Sequence, residues 1–269
     1  MPTRPVALLT DFGTQDTYAG ILRAVLHTRC PGVSILDLTH DVPPHDVRAG
    51  AVHLLAAAPW CPEDTVFLAV VDPGVGGARR PIALRCGTRS FVGPDNGLLW
   101  PAAESFGTFE AFQPDRPEFW LPNLSTTFHG RDIFAPVAAY LAAGGREDDA
   151  CTRIDDPTRL DLPVPTREEL AVRGEILLVD RFGNAVTNIR PSDLGLSDRA
   201  AVQIDVWAAG CAPMTVHGPQ PSYESVPAGE LLLIIGSLGY YEIARSRGSA
   251  AEELRLSTGD RITALPYSI

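Results

Sequence analysis

Seven consecutive residues, Thr65-Val66-Phe67-Leu68-Ala69-Val70-Val71, run without a charged side chain and stop at an aspartate and a glycine-rich loop, Asp72-Pro73-Gly74-Val75-Gly76-Gly77. A β-branched apolar run of strand length predicts a strand buried on both faces, which belongs in a parallel sheet covered by helices on either side. The preceding sequence alternates accordingly. Strands are expected near Val6–Leu9 and Val33–Leu38 and amphipathic helices near Tyr18–Thr28 and Val47–Ala58, giving the order βαβαβ. Further strands are expected at Pro81–Arg85 and Ser90–Val92, then a short helix after Asn96. A longer helix over Ile133–Ala143 is stopped by Gly144-Gly145.

From Glu147 to Arg173 the chain turns to Asp, Pro, Thr and Arg and reads as a linker, too polar and too broken for a core strand or long helix. After it come short alternating segments at Glu175–Val179, Ala185–Ile189, Ala201–Val206, Met214–Val216, Glu230–Ile235, Tyr240–Ala244 and Arg261–Leu265. With turn signals between them and no helical period, they predict a small barrel or sandwich. The expected fold class is an α/β N-terminal domain with a central, mostly parallel sheet, plus a smaller all-β, barrel-like C-terminal domain. The expected boundaries are 1–165, with the linker starting at about 147, and 172–269.

Composition excludes several functions. A net charge of −11 without a basic stripe argues against a nucleic-acid partner, and all 22 basic side chains are arginine. The five cysteines, Cys30, Cys61, Cys86, Cys151 and Cys211, contain no C-x-x-C pair, so neither a zinc ribbon nor a disulfide framework is expected and a reducing cytoplasm fits best. No apolar run approaches the roughly 18 residues of a membrane helix, so a soluble protein without a membrane partner is expected. No cofactor or metal is expected.

Candidate chemistry sits where strands end. In open α/β sheets ligands gather outside the carboxyl ends of strands, and glycines let the loop after Asp72 approach one closely. Thr10-Asp11-Phe12-Gly13, followed by Asp16 and Tyr18, stands at the end of the first strand; either carboxylate is placed to accept a ribose diol or to cap the helix. Thr39-His40-Asp41-Val42-Pro43-Pro44-His45-Asp46 invites a metal reading, but a stiff proline turn with Asp46 as helix cap explains it better. His129 precedes a helix as either an acid–base group or a surface histidine beside a cap, with Asp132 supporting the helix start; order alone leaves both open. Asp180-Arg181-Phe182-Gly183-Asn184 and Ser237-Leu238-Gly239-Tyr240 read first as tight turns.

Taken together, Thr10-Asp11-Phe12-Gly13, Asp72-Pro73-Gly74-Val75-Gly76, Arg79, Gly93-Pro94-Asp95-Asn96-Gly97, Phe128-His129-Gly130-Arg131-Asp132 and Asp180-Arg181-Phe182-Gly183-Asn184 resemble the S-adenosylmethionine hydroxide adenosyltransferases, the hydrolase branch of the family that also holds the fluorinase and chlorinase. The resemblance runs nearly end to end and in order. It implies hydrolysis of S-adenosyl-L-methionine at the ribose C5′ to adenosine and L-methionine, in a homotrimer whose sites lie between the first domain of one subunit and the second domain of its neighbour. It implies a catalytic set of Asp72, Arg79 and His129, with Asp11 on the ribose diol and Asp16 on the methionine amino group. Phe182 and Asn184 would meet the adenine, and Asp180 and Ser237 the methionine end. In the halogenating relatives the position of Asp72 matches a tyrosine, and a long insertion after Arg79 is missing here, so the hydrolase is favoured. The alternatives are a halogenase on the same substrate and a non-catalytic sensor of adenosine or S-adenosylmethionine. Tyr18, His45 and Leu238 replace Ser, Trp and Arg of those relatives, so the carboxylate end of the substrate is held differently.

Overall fold

The computed structural model describes residues 3–207 and 213–267. The chain divides into two units, the first ending at Leu162 and the second beginning at Pro163.

The first unit follows from the buried strands. It contains β1 (Val6–Thr10), α1 (Tyr18–Arg29), β2 (Ile35–Thr39), α2 (Val47–Ala57), β3 (Val66–Val70), β4 (Pro81–Cys86), β5 (Arg89–Pro94), α3 (Trp100–Ser105), β6 (Glu110–Gln113), α4 (Ala135–Ala142), α5 (Glu147–Ala150) and β7 (Thr152–Ile154). The sheet order is β2-β1-β3-β5-β4-β6-β7. The first four strands in that order pair in parallel, and the rest are added antiparallel. Side chains of β1 and β3 alternate between two covered faces, as the two-residue period of a strand requires. Val6, Leu8, Val66, Leu68 and Val70 pack with residues of α1 and α4, whereas Ala7, Leu9, Phe67, Ala69 and Val71 pack with residues of α2 and α3. Phe67 stacks on Phe91 across the parallel pair with ring centroids 4.7 Å apart.

Three local features differ from expectation. The supposed linker supplies α5 and the edge strand β7, because an edge strand with one partner needs no apolar face. The helix expected at Ile133 starts earlier, as a π turn over Gly130–Phe134 that runs into α4. β6, which the sequence reading passed over, is only four residues long and pairs between β4 and β7.

The second unit contains β8 (Thr166–Glu168), β9 (Ala171–Val179), β10 (Ala185–Thr187), β11 (Val202–Trp207), β12 (Met214–Gly218), β13 (Leu231–Ile235), β14 (Tyr241–Arg245), α6 (Ala250–Leu254) and β15 (Arg261–Pro266). Every strand pairing is antiparallel, in the order β12-β11-β15-β9-β10-β14-β13 with β8 on β9. The sheet curls until its ends nearly meet. Gln220, just past β12, donates its backbone N–H to Leu233 O of β13 at 2.7 Å, so the unit is a nearly closed barrel. Val172, Ile176, Ile204, Leu233, Tyr241 and Ile243 fill it. The short helix α6 was not expected there; it is capped by Ser249, whose side chain accepts the Glu252 N–H. Cys30, Cys61, Cys86 and Cys151 are free thiols, and Cys211 lies outside the described residues. Among the described residues no helix is long and apolar enough to cross a membrane.

Candidate active site

Asp72 follows β3 by two residues, and the loop it opens folds back on itself through the Val75 N–H to Asp72 O and Gly77 N–H to Gly74 O bonds. That return brings Arg79 over Gly74, where a Cβ would lie 3.1 Å from Arg79 Cγ. Arg79 then grips Asp72 as a two-pronged fork. Nε donates to Oδ1 at 2.8 Å and Nη2 to Oδ2, with the two side chains 9% and 6% exposed. The guanidinium also lies over the Phe134 ring, 5.2 Å from its centroid. Its remaining nitrogen, Nη1, is buried with no hydrogen-bond partner among the described residues, and Asp72 is the carboxylate paired with it there.

The third member arrives from 50 residues away. His129 stands at the start of the π turn, with Nδ1 3.0 Å from Arg79 Nη2. An arginine has only donors, so Nδ1 accepts and the neutral ring carries its hydrogen on Nε2. Burial, and then the Arg79 charge, hold His129 below the ordinary histidine value, against the opposing influence of Asp72 and Asp132. His129 is therefore neutral and a donor through Nε2 at neutral pH. The loop that presents it is anchored by Asp132, which is fully buried. One carboxylate oxygen accepts the Ser125 N–H at 2.8 Å, and both take the Arg131 fork. Asp132 thus fastens the loop from the first turn of the helix, where its charge also supports the helix start as expected.

Asp72 and His129 face a cavity of about 450 Å³ that is also lined by Asp11, Phe12, Tyr18 and Phe128. The three aromatic rings meet edge to face, with centroids 5.3–5.9 Å apart. Arg79 does not line this cavity; it braces the two groups that do. Neither Asp11 nor Asp16 caps α1. Thr17 holds the N-cap position without a side-chain bond, and Asp11 Oδ2 instead accepts the His45 backbone N–H at 2.9 Å. Asp16 is exposed and lines a separate surface hollow along α1, two residues before Tyr18 of the Asp72 cavity.

His40 is buried in a polar network, with Nδ1 2.8 Å from Thr10 Oγ1 and Nε2 3.0 Å from Asp37 Oδ1 and 3.1 Å from Arg23 Nη2. Asp46 caps α2 by accepting the Ala49 N–H. These residues have the structural roles expected of the turn, and no group of three or more metal-ligating side chains is assembled among the described residues.

In the second unit, Asp180 organises its own turn. It accepts the N–H groups of Phe182 and Asn184 and the Asn184 side-chain amide, at 2.8–2.9 Å. Gly183 sits at φ +81° and a Cβ there would lie 2.0 Å from Ser249 Oγ, so only glycine fits. The turn buries Asn184 and leaves Phe182 76% exposed. Ser237 is exposed on the turn closed by Gly236 N–H to Tyr240 O. Below it lies a carboxylate that sequence reading missed. Glu242 fills the space a side chain at Gly236 would need, accepts the Tyr223 hydroxyl at 3.2 Å, and is raised by burial and by the Asp180 charge. The strand pattern of β14 gave no signal for it.

Comparison with known proteins matches the profile of the SAM hydroxide adenosyltransferase N-terminal domain to residues 6–150 and that of the C-terminal domain to residues 174–263. The chain belongs to the SAM hydroxide adenosyltransferase family. Within that family, a Thermus thermophilus protein named (R)-S-adenosyl-L-methionine hydrolase is 40% identical, covering 95% of this chain and 97% of its own. A Salinispora tropica protein of the same name is 41% identical, with 97% of each chain covered. A fluorinase from Actinoplanes sp. is 27% identical over 96% of each chain. The crystal structure of an uncharacterized conserved protein from Thermotoga maritima superposes with a TM-score of 0.89 at 36% identity, over 97% of this chain and 99% of that one.

Proposed function

We propose that this SAM hydroxide adenosyltransferase hydrolyses S-adenosyl-L-methionine by attack of water on the ribose C5′, and that Asp72 and His129 handle the water while Arg79 braces them. The observation that carries the reading is the Asp72–Arg79–His129 cluster at the wall of an aromatic-lined cavity. The leaving group is already activated, because a sulfonium departs as a neutral thioether. What remains is to hold a weak nucleophile in line with the C5′–S bond. Asp72 accepts a proton of the water and His129 Nε2–H donates to its oxygen as hydroxide character develops. The C5′–O bond forms as the C5′–S bond breaks, the bonding pair passes to sulfur, and one proton is released to solvent for each adenosine and methionine made.

The carboxylate also bears on the choice of nucleophile. An anion beside Asp72 is repelled, since the Arg79 charge is already spent on that carboxylate, whereas neutral water is not. Asp11 keeps Oδ1 for the ribose diol, and the exposed Phe182, with Asn184, Asp180, Ser237 and Asp16, would bind the adenine and methionine ends. This arrangement fits sites completed by a neighbouring subunit of a cytoplasmic homotrimer, which sedimentation of the purified protein tests directly.

Incubation with S-adenosyl-L-methionine in low-halide buffer, then with chloride added, tests the reaction itself. Equal yields of adenosine and methionine, indifferent to chloride, are expected. A 5′-halo-nucleoside would assign a halogenase, and tight retention without product a sensor. Because the hydrolase relatives are named for the (R) form, the assay is run with each sulfonium epimer.

The pH profile follows from His129. Its folded pKa is depressed, so the unfolded chain takes up the proton first. The site's contribution to stability is intact above the ordinary value of 6.5 and is lost as pH falls below it through the folded pKa. Protonation of Nδ1 also removes the acceptor for Arg79. The acid limb of kcat is therefore expected below pH 6.5, and an acid limb at or above that value would contradict the assigned tautomer.

A further inference from the structure

The Gly93-Pro94-Asp95-Asn96-Gly97 motif does not line the cavity, yet Asn96 and Asp95 bond the residues on either side of the Asp72–Arg79 fork, Val71 through its backbone oxygen and Arg80 through its side chain and backbone oxygen. The β4–β5 hairpin sets Pro81 opposite Pro94, and β5 runs parallel to β3, so residues 79–80 and 95–96 emerge together beside the carboxyl end of β3. Asn96 Nδ2 donates to Val71 O at 2.8 Å, fixing the peptide that enters Asp72, while its Oδ1 accepts the Leu98 N–H. Asp95, with its side chain 3% exposed, accepts Arg80 Nε at 2.6 Å and the Thr158 N–H at 2.7 Å, and its own N–H donates to Arg80 O at 3.0 Å. Arg80 is the residue that leaves Arg79. Two consecutive residues thus hold the two ends of the loop that must return Arg79 onto Asp72.

We propose that Asp95 and Asn96 are positioning residues for hydrolysis, fixing the span of the 72–79 loop so that Arg79 bonds Asp72 and His129 together. A charge-assisted bond to a desolvated carboxylate is short and directional, which suits it to that task. Arg80 also reaches Asp156 Oδ1 at 2.9 Å, and a Cβ at Gly97 would lie 2.6 Å from Leu160 Cβ. The same motif therefore fastens the segment that follows β7. That fastening alone predicts loss of stability but not the kinetic pattern below.

The inference rests on the reading that Asp72, Arg79 and His129 manage the water, and the experiment separates the two. Asn96→Ala, Asp95→Asn, Arg80→Ala and Arg80→Lys are assayed with S-adenosyl-L-methionine across pH, with thermal melts alongside. Asn96→Ala, Asp95→Asn and Arg80→Ala are expected to lose roughly 10- to 100-fold in kcat with KM within about threefold, the scale of a small misplacement at a reacting centre. Their acid limb moves up toward 6.5, because Arg79 helps hold His129 down against Asp72 and Asp132, the latter itself engaged by Arg131. Arg80→Lys keeps a charge opposite Asp95 and recovers most of the activity, and it still reports if a harsher variant does not fold. Folded variants with kcat within about twofold of wild type and an unmoved acid limb would overturn the inference. A wild-type protein that makes no adenosine, or an Asp72→Asn variant that still turns over, would instead overturn the underlying reading.

Discussion

Asp72→Asn is expected to lower kcat by about 10²- to 10⁴-fold, the range removed with a positioned proton acceptor. At 1.36 kcal/mol per tenfold that is roughly 3–5 kcal/mol of transition-state stabilisation. The substitution keeps the shape but not the chemistry. An amide offers one acceptor and one donor to a fork of two donors, so an N–H is turned against the Arg79 guanidinium. Among the described residues Arg79 pairs with no other carboxylate, and its Nη1 is already without a hydrogen-bond partner. Removing one member of a buried ion pair costs about 3–5 kcal/mol, so a lower melting temperature accompanies the kinetic loss. Calorimetry of substrate binding to the folded variant separates the two effects. Binding that survives while turnover disappears is the expected result, and turnover within a few-fold of wild type would remove Asp72 from its role.

Gly76→Ala should produce the second large effect, without touching a catalytic group. Gly76 has φ +75°, and a Cβ there would lie 2.2 Å from the backbone oxygen of Thr126, so the 72–79 loop and the loop leading to His129 meet at a residue with no side chain. Backbone strain and overpacking each cost about 1–3 kcal/mol in typical cases. The contact joins the loop that carries Arg79 to the one that leads to His129, so one loop or the other must shift. A loss of roughly 100-fold in kcat/KM is expected, as for a shift near 1 Å at a reacting centre. Gly87→Ala is the control, since Gly87 also has positive φ, +58°, but nothing lies within 4 Å of its Cβ position. It should lose about 1 kcal/mol of stability and no activity. Equal kinetic effects from both substitutions would show that the contact at Thr126 does not position the site.

The two positions also mark where sequence reading reaches and where it stops. β1 and β3 were legible because strands buried on both faces must be apolar throughout, and β2 and β5 followed from the alternation around them. Of the antiparallel extension, β4 was legible as a strand but β6 and β7 were not. β6 and β7 are four and three residues long, and a polar edge strand such as Thr152-Arg153-Ile154 has the composition of a linker. Asp46 was legible as a cap because capping is local chemistry, within three residues. Asp16 invited the same local explanation and departed from it. Thr17 occupies the cap position of α1, and Asp132, in the first turn of its helix, also accepts the Ser125 N–H and the Arg131 fork, which helix chemistry alone does not foretell. The convergence of Arg79 and His129, 50 residues apart, on Asp72 lies beyond any periodicity, and only the resemblance of whole motifs pointed to it. Glu242 lay hidden because its significance depends on the cramped space at Gly236, which no one-dimensional pattern carries.

The resulting chemistry separates this chain from the fluorinase it resembles at 27% identity. A site that uses a halide must strip water from an anion, whereas here a carboxylate stands at the cavity wall and a neutral histidine faces the same space. Neither nearby arginine is left to offer an anion an unbalanced charge, because Arg79 is committed to Asp72 and Arg131, which lines the cavity, to Asp132. Water is the nucleophile such a site can hold.

Running the reaction in ¹⁸O-labelled water tests that claim most directly. Attack of water at C5′ places one heavy oxygen in the adenosine 5′-hydroxyl and none in methionine, and mass spectrometry of both products is expected to show this label alone. Unlabelled adenosine, label in methionine, or a 5′-substituted nucleoside in its place would contradict hydrolysis at C5′.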